Sequence, residues 1–115
     1  MSSFSVSVSD RSTDSMKIFS FSGEMDEITL ADVRTQVDPL LMDPMVKTII
    51  FDLSELNYIN SKGIGYLVAV HTHLSKDQRV LILSGATESV MDVIMLVGLP
   101  SIIRCVNTVE EALAS

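Results

Sequence analysis

The chain reads as an α/β domain built on a mixed sheet, and three observations carry that reading. Thr48-Ile49-Ile50-Phe51-Asp52-Leu53 and Arg79-Val80-Leu81-Ile82-Leu83 are continuous apolar runs, the pattern of strands buried on both faces. Between them Ile64, Leu67, Val68, His71 and Leu74 recur at helical spacing. The three segments therefore form a strand–helix–strand unit with a right-handed crossover. Near the start, Phe4-Ser5-Val6-Ser7-Val8 alternates apolar with polar, as a half-buried strand does. The expectation is one domain over residues 1–115, with about four to five strands and about four helices, residues 1–15 supplying an N-terminal strand and turn.

The remaining elements follow in order. Arg11 to Asp14 is a polar turn, and Lys17 to Ser22 is a second strand, pairing with the first as an antiparallel hairpin. Gly23-Glu24-Met25-Asp26 ends it. Leu30, Val33, Val37, Leu40 and Leu41 mark a helix, with a bend or break expected at Asp38 because Pro39 lies inside the pattern. Strand 48–53 is followed by a polar connection to Asn60 and then the helix. Thr87 caps a helix over 88–97 that buries Val90, Val93, Ile94 and Val97, and Gly98-Leu99-Pro100 stops it. Ile102 to Val106 is a short strand, and Thr108-Val109-Glu110-Glu111 fits a capping box before a final helix.

At 115 residues with 47% apolar composition, a single core is within reach without staples. One cysteine, Cys105, excludes an internal disulfide framework and fits a reducing compartment. No leader-like opening or membrane-length apolar run is present, so the expected location is the cytoplasm. The net charge of −7 argues against nucleic acid, whose phosphates require a clustered basic surface.

Ser61 is the residue that raises a functional question. It stands between a strand and a helix, in Asn60-Ser61-Lys62-Gly63-Ile64-Gly65. Read structurally, it is an N-cap contributing about 1 kcal/mol. The same place suits an anion, because first-turn N–H groups and the helix dipole favour negative charge. A nucleophile fits poorly: the hydrolase elbow wants glycine where Ile59 stands. His71 and His73 lie two to three turns on, and their spacing puts them on different faces. Gly63-Ile64-Gly65 falls short of a dinucleotide fingerprint, since Val68 replaces the third glycine and the connection from Leu53 is long. No metal cluster or cofactor motif is recognisable. Met91 and Met95 either pack against a neighbouring helix or form an adaptable protein-binding surface.

Asp52-Leu53-Ser54 and Ile59-Asn60-Ser61-Lys62-Gly63-Ile64-Gly65, preceded by Gly23-Glu24-Met25-Asp26, resemble the STAS domain of bacterial anti-sigma factor antagonists. The resemblance covers roughly Lys17 to Leu113. It implies a small α/β domain without catalysis of its own, binding an anti-sigma factor that is also a serine kinase. That kinase phosphorylates the signature serine, here Ser61, and a PP2C-like phosphatase reverses it. The family's aspartate is replaced by Asn60 and its second hydroxyl residue by Lys62. The implied docking surface comprises Glu24, Asp26, Asn60, Ser61, Lys62 and Gly63, to which exposed Met91 and Met95 would add; the expected state is a monomer or weak homodimer. Two related outputs share the fold: a partner switch not ending in a sigma factor, and a soluble subunit of a lipid or anion transport system.

Overall fold

The computed structural model describes residues 4–115; the first three residues of the expected N-terminal segment lie outside it. Five strands form one sheet in chain order: β1 (Ser5–Val8), β2 (Met16–Met25), β3 (Thr48–Ile59), β4 (Val80–Ser84) and β5 (Arg104–Val106). β1 is antiparallel to β2, and every other pairing is parallel. The helices are α1 (Leu30–Leu41), α2 (Ser61–Ser75), α3 (Glu88–Leu96) and α4 (Val109–Leu113), with a 3₁₀ turn at Leu99–Ser101. The mixed sheet and four helices are those read from the sequence.

Because the parallel strands advance one place at a time in one direction, right-handed crossovers put α1, α2 and α3 on the same face. Phe19, Phe21, Phe51, Leu81 and Leu83 point into that side, where they meet Val33, Leu67, Val90 and Ile94. The Phe51 ring receives Phe21 edge-on at 4.9 Å. On the opposite face Ile18, Ile50 and Ile82 meet only Ala112 of the short α4 and a few half-buried neighbours.

Five features differ from expectation, each for a physical reason. β3 does not end at Leu53 but runs to Ile59, and β2 continues through Gly23 to Met25. Register slips twice: Ser20 faces Asp52 while Ser22 faces Glu55, and Gly23 faces Leu56 while Glu24 faces Tyr58. Each slip inserts an extra residue into β3 and turns the alternation over. Leu53, Leu56 and Ile59 therefore all point inward despite their spacing of three. The break at Asp38 does not occur. Pro39 sits in the last turn of α1, where it forgoes one backbone bond, and buried Val37 and Leu41 hold the turn in place. Arg79 lies before β4; its buried guanidinium donates to the carbonyls of Leu41, Val46 and Asp43 at 2.8, 3.1 and 3.2 Å. β5 starts at Arg104 because Ile102 and Ile103 close the preceding turn onto Leu99.

Candidate functional site

Beyond Asp52, where β4 ends at Ser84, β2 and β3 continue as a two-stranded ribbon that delivers the chain to α2. The strand-to-helix turn is thus immediate, contrary to the long connection expected; the dinucleotide fingerprint stays incomplete because Val68, not glycine, holds its third place. Asn60, not Ser61, is the cap of α2. Its extended backbone lets Oδ1 accept from Lys62 N and Gly63 N, both at 3.1 Å. Its Nδ2 donates to Glu27 Oε2 at 2.9 Å, and its backbone N–H donates to the Met25 carbonyl.

With the cap already made by its neighbour, Ser61 becomes the first helical residue. It is exposed, and its hydroxyl makes no hydrogen bond to any described residue. Lys62 beside it is exposed as well.

The two glycines of this turn do different work. A Cβ on Gly63 would stand 2.6 Å from Ile59 Cγ1 and 3.2 Å from Met25 Cγ, so glycine lets α2 sit down on the ribbon. A Cβ on Gly65 would meet nothing within 4 Å. Helical glycine costs about 0.5–1 kcal/mol relative to alanine, and packing inside the chain gives no return for it here. Gly65 leaves bare helical backbone facing outward one turn from Ser61.

Next to Asn60 lies the β2–α1 turn. Asp26 Oδ1 accepts from the backbone N–H of Thr29 and of Ile28, both at 3.0 Å. The Thr29 hydroxyl accepts from Asp26 N and donates to the Glu24 carbonyl at 2.8 Å. The Thr29 N–H foremost, then the Ile28 N–H and the Thr29 hydroxyl, hold the Asp26 carboxyl below its ordinary value of 3.8, against the opposing pull of burial. Asp26 is thus committed to the turn, whereas Glu24 projects into solvent and Glu27, though exposed, accepts from Asn60. Two apolar residues stand out among them, Ile28 at 78% exposure and Tyr58, the register partner of Glu24.

On the other side of Ser61 a groove of about 660 Å³ runs between α1 and α2. Arg34, Lys62 and His73 line it together with Asp38, Tyr66 and Gly65. The Tyr66 hydroxyl donates to Asp38 Oδ1 at 2.6 Å, and the Arg34 guanidinium lies 5.5 Å from the Tyr66 ring centroid. Burial, then the Asp38 contact, push the Tyr66 phenol well above its usual range.

Met91 and Met95 lie on α3, outside this groove. Thr87 caps α3, and the hydroxyls of Thr87 and Ser89 donate to the Leu56 and Asn57 carbonyls at 3.0 and 3.1 Å. Met91 is half-buried against the core while Met95 is 61% exposed. Val97, expected inside, is exposed together with Leu96 and Ile102. The helix ends where Gly98 adopts φ +76°, which carries Val97 past the core-facing stripe. Cys105 is half-buried, which pushes its thiol up. Among the described residues no group of His, Cys, Asp and Glu could hold a metal ion, and no helix is long and apolar enough to cross a membrane.

Sequence reasoning missed Glu27, Ile28, Arg34, Tyr58 and Tyr66. Glu27 reaches Asn60 across 33 residues and Tyr66 reaches Asp38 across 28, separations that no local pattern reports.

The fold is a small α/β sheet with three helices on one face, and it presents an uncommitted serine hydroxyl where β3 enters α2. The chain belongs to the STAS domain family, whose model matches residues 7–112. It is 28% identical over 107 residues to the anti-sigma-B factor antagonist of Listeria monocytogenes, covering 93% of this chain and 92% of the relative. Among solved structures, an anti-sigma factor antagonist from Mycobacterium paratuberculosis superposes with a TM-score of 0.85 at 24% identity, covering 97% of this chain and 92% of that one. The unphosphorylated form of the anti-sigma factor antagonist SpoIIAA gives 0.81 at 22%, covering 95% and 93%. These two likenesses are of fold.

Proposed function

We propose that this domain is an anti-sigma factor antagonist acting by partner switching. Unphosphorylated, it binds an anti-sigma factor that is also a serine kinase and so frees a sigma factor. The kinase then transfers the terminal phosphoryl of a nucleoside triphosphate to Ser61: the Ser61 Oγ–P bond forms, the bond to the leaving diphosphate breaks, and the hydroxyl proton is released. A PP2C-like phosphatase resets the switch. The domain itself carries out no catalysis, and the setting is the cytoplasm, with the domain a monomer or weak homodimer.

The observation that carries this reading is the Ser61 hydroxyl, exposed and unbonded while the neighbouring Asn60 side chain and the Lys62 and Gly63 N–H groups are committed to the cap. A kinase can reach it, and a docked protein at Glu24, Asp26, Asn60 and Lys62 covers it, whereas Gly63 is buried against Ile59 and Met25 and offers a partner no surface. Modification adds about −1.5 to −2 charges. Sealing that charge beneath a partner costs on the order of several kcal/mol when nothing pairs it, and every 1.4 kcal/mol is about tenfold in affinity. The fold has no reason to change, because Ser61 lies on the surface and its hydroxyl holds no structural bond.

The test is calorimetric titration of the cognate kinase with wild type, Ser61→Ala and Ser61→Asp, paired with phosphosite mass spectrometry after incubation with kinase and ATP. Binding lost only in Ser61→Asp, with phosphate on Ser61 alone, supports the switch. Equal binding by all three proteins removes it.

A further inference from the structure

The ordinary expectation for a phosphorylated first-turn residue is that the helix end itself absorbs the charge. Here most of that end is already used. Lys62 N and Gly63 N donate to Asn60 Oδ1, and Ile64 N donates to the Asn60 carbonyl at 2.9 Å. The N–H of Ser61 itself is left over, and one neutral donor does not balance a dianion, so a phosphate on Ser61 draws the rest of its counter-charge from side chains.

Two directions are open to it. Toward the β2–α1 turn stands Glu27, tethered by Asn60 Nδ2, and a carboxylate repels a dianion. Toward the α1–α2 groove stand Lys62 and Arg34, lining the same cavity as Ser61. Only 8 lysines and arginines serve a chain of net charge −7, yet two of them share this groove. The remaining charged or titratable groups lining it are Asp38, engaged by the Tyr66 hydroxyl, Tyr66 itself, and His73.

We propose that the Ser61 end of the α1–α2 groove is an internal phosphate site, in which a phosphoryl group on Ser61 turns away from Glu27 and is held by the side chains of Lys62 and Arg34. This rests on Ser61 being the modified residue, as proposed above. Arg34 exchanges its contact with the Tyr66 ring for a charge-assisted hydrogen bond, a stronger interaction. The anchored phosphate lies over the bare backbone of Gly65. It thereby fills the space that Gly65 leaves open to a partner, so the modification blocks docking by occupancy as well as by charge. Lys62 in the first helical turn, where the dipole disfavours a cation, then has a purpose.

The test uses the full chain with phosphoserine installed at position 61 during translation, titrated by ³¹P NMR. The expected result is a second phosphoryl pKa about one unit below its ordinary value of about 6. Arg34→Ala and Lys62→Ala should each move it back toward 6, while Lys62→Arg should keep it low. Phosphorylation should also shift the Tyr66 ring resonances in wild type and not in Arg34→Ala. Both alanine positions are exposed, and circular dichroism checks the fold. A titration near 6 in the unsubstituted phosphoprotein, or one that neither alanine alters, overturns the proposal. A kinase that leaves Ser61 unmodified would remove the switch without affecting this titration. An ordinary titration alongside intact kinase-dependent switching would remove the clamp alone.

Discussion

α2 and α3 both begin where a parallel strand ends, and both begin with small hydroxyl residues, but the oxygens have opposite fates. At α3 the Thr87 hydroxyl donates to the Leu56 carbonyl and accepts from Val90 N, while Ser89 donates to Asn57 O. These bonds satisfy the edge of β3 left bare beyond Asp52, where β4 has ended. At α2 the cap is an amide, Asn60, and the hydroxyl of Ser61 is left over. A serine at a helix start is structural when its oxygen is spoken for, and available for regulation when a neighbour has taken that role. One spare oxygen separates the two helices.

The sharpest way to break this comparison is to place a charge at position 61. Ser61→Asp is expected to lower affinity for the kinase partner about a hundredfold or more, the several kcal/mol of an unpaired buried charge. Its melting temperature should stay within a few degrees of wild type. Calorimetry and thermal denaturation measure the two halves, and a large stability loss would mean that Ser61 is structural after all.

The glycines give the next largest effect and a change of sign. Gly63→Ala drives a methyl into Ile59 and Met25 and should destabilise by about 1–3 kcal/mol. Gly65→Ala should stabilise by about 0.5–1 kcal/mol yet weaken partner binding, because the methyl stands on the face proposed for docking. Chemical denaturation alongside binding shows whether the signs part.

The caps come next. Asn60→Ala should cost about 1 kcal/mol, and Thr87→Ala a similar amount, whereas Ser61→Ala should cost almost nothing in stability. Urea midpoints at constant slope resolve these differences.

The smallest effect concerns Asp26. Its carboxyl is held below 3.8 in the folded chain, so unfolding returns it to a group that takes up protons more readily. The stabilisation is therefore complete above about pH 3.8 and is lost as pH falls through the lower folded value. Glu110, held down by its backbone contact and by Arg11, adds to the same acid slope. Asp26→Asn should flatten part of that slope, as seen in urea midpoints between pH 5 and pH 3.

Much of the architecture was legible because burial writes itself locally. The runs at Thr48–Leu53 and Arg79–Leu83 mark sheet interior, and the spacing of Leu30, Val33 and Val37 marks a helix face. Ser61 was also legible, as the hydroxyl at a strand–helix junction. The extension of β3 to Ile59 was hidden because two bulges replace an alternation of two with a spacing of three. The assignment of the cap was hidden because Asn60 and Ser61 are both good caps, and where the strand stops decides which of them takes the helical N–H groups.

Sequence alone determined which segments are apolar enough to be buried and in what order they come, and with the handedness of parallel crossovers that sets the sheet and its helices. Tertiary structure alone decided which polar groups are spent and which are spare. Glu27 reaches Asn60, and Tyr66 reaches Asp38, only once β2, α1 and α2 have been folded side by side. A hydrogen bond needs two partners within about 3 Å, and for residues distant along the chain that proximity is a product of packing.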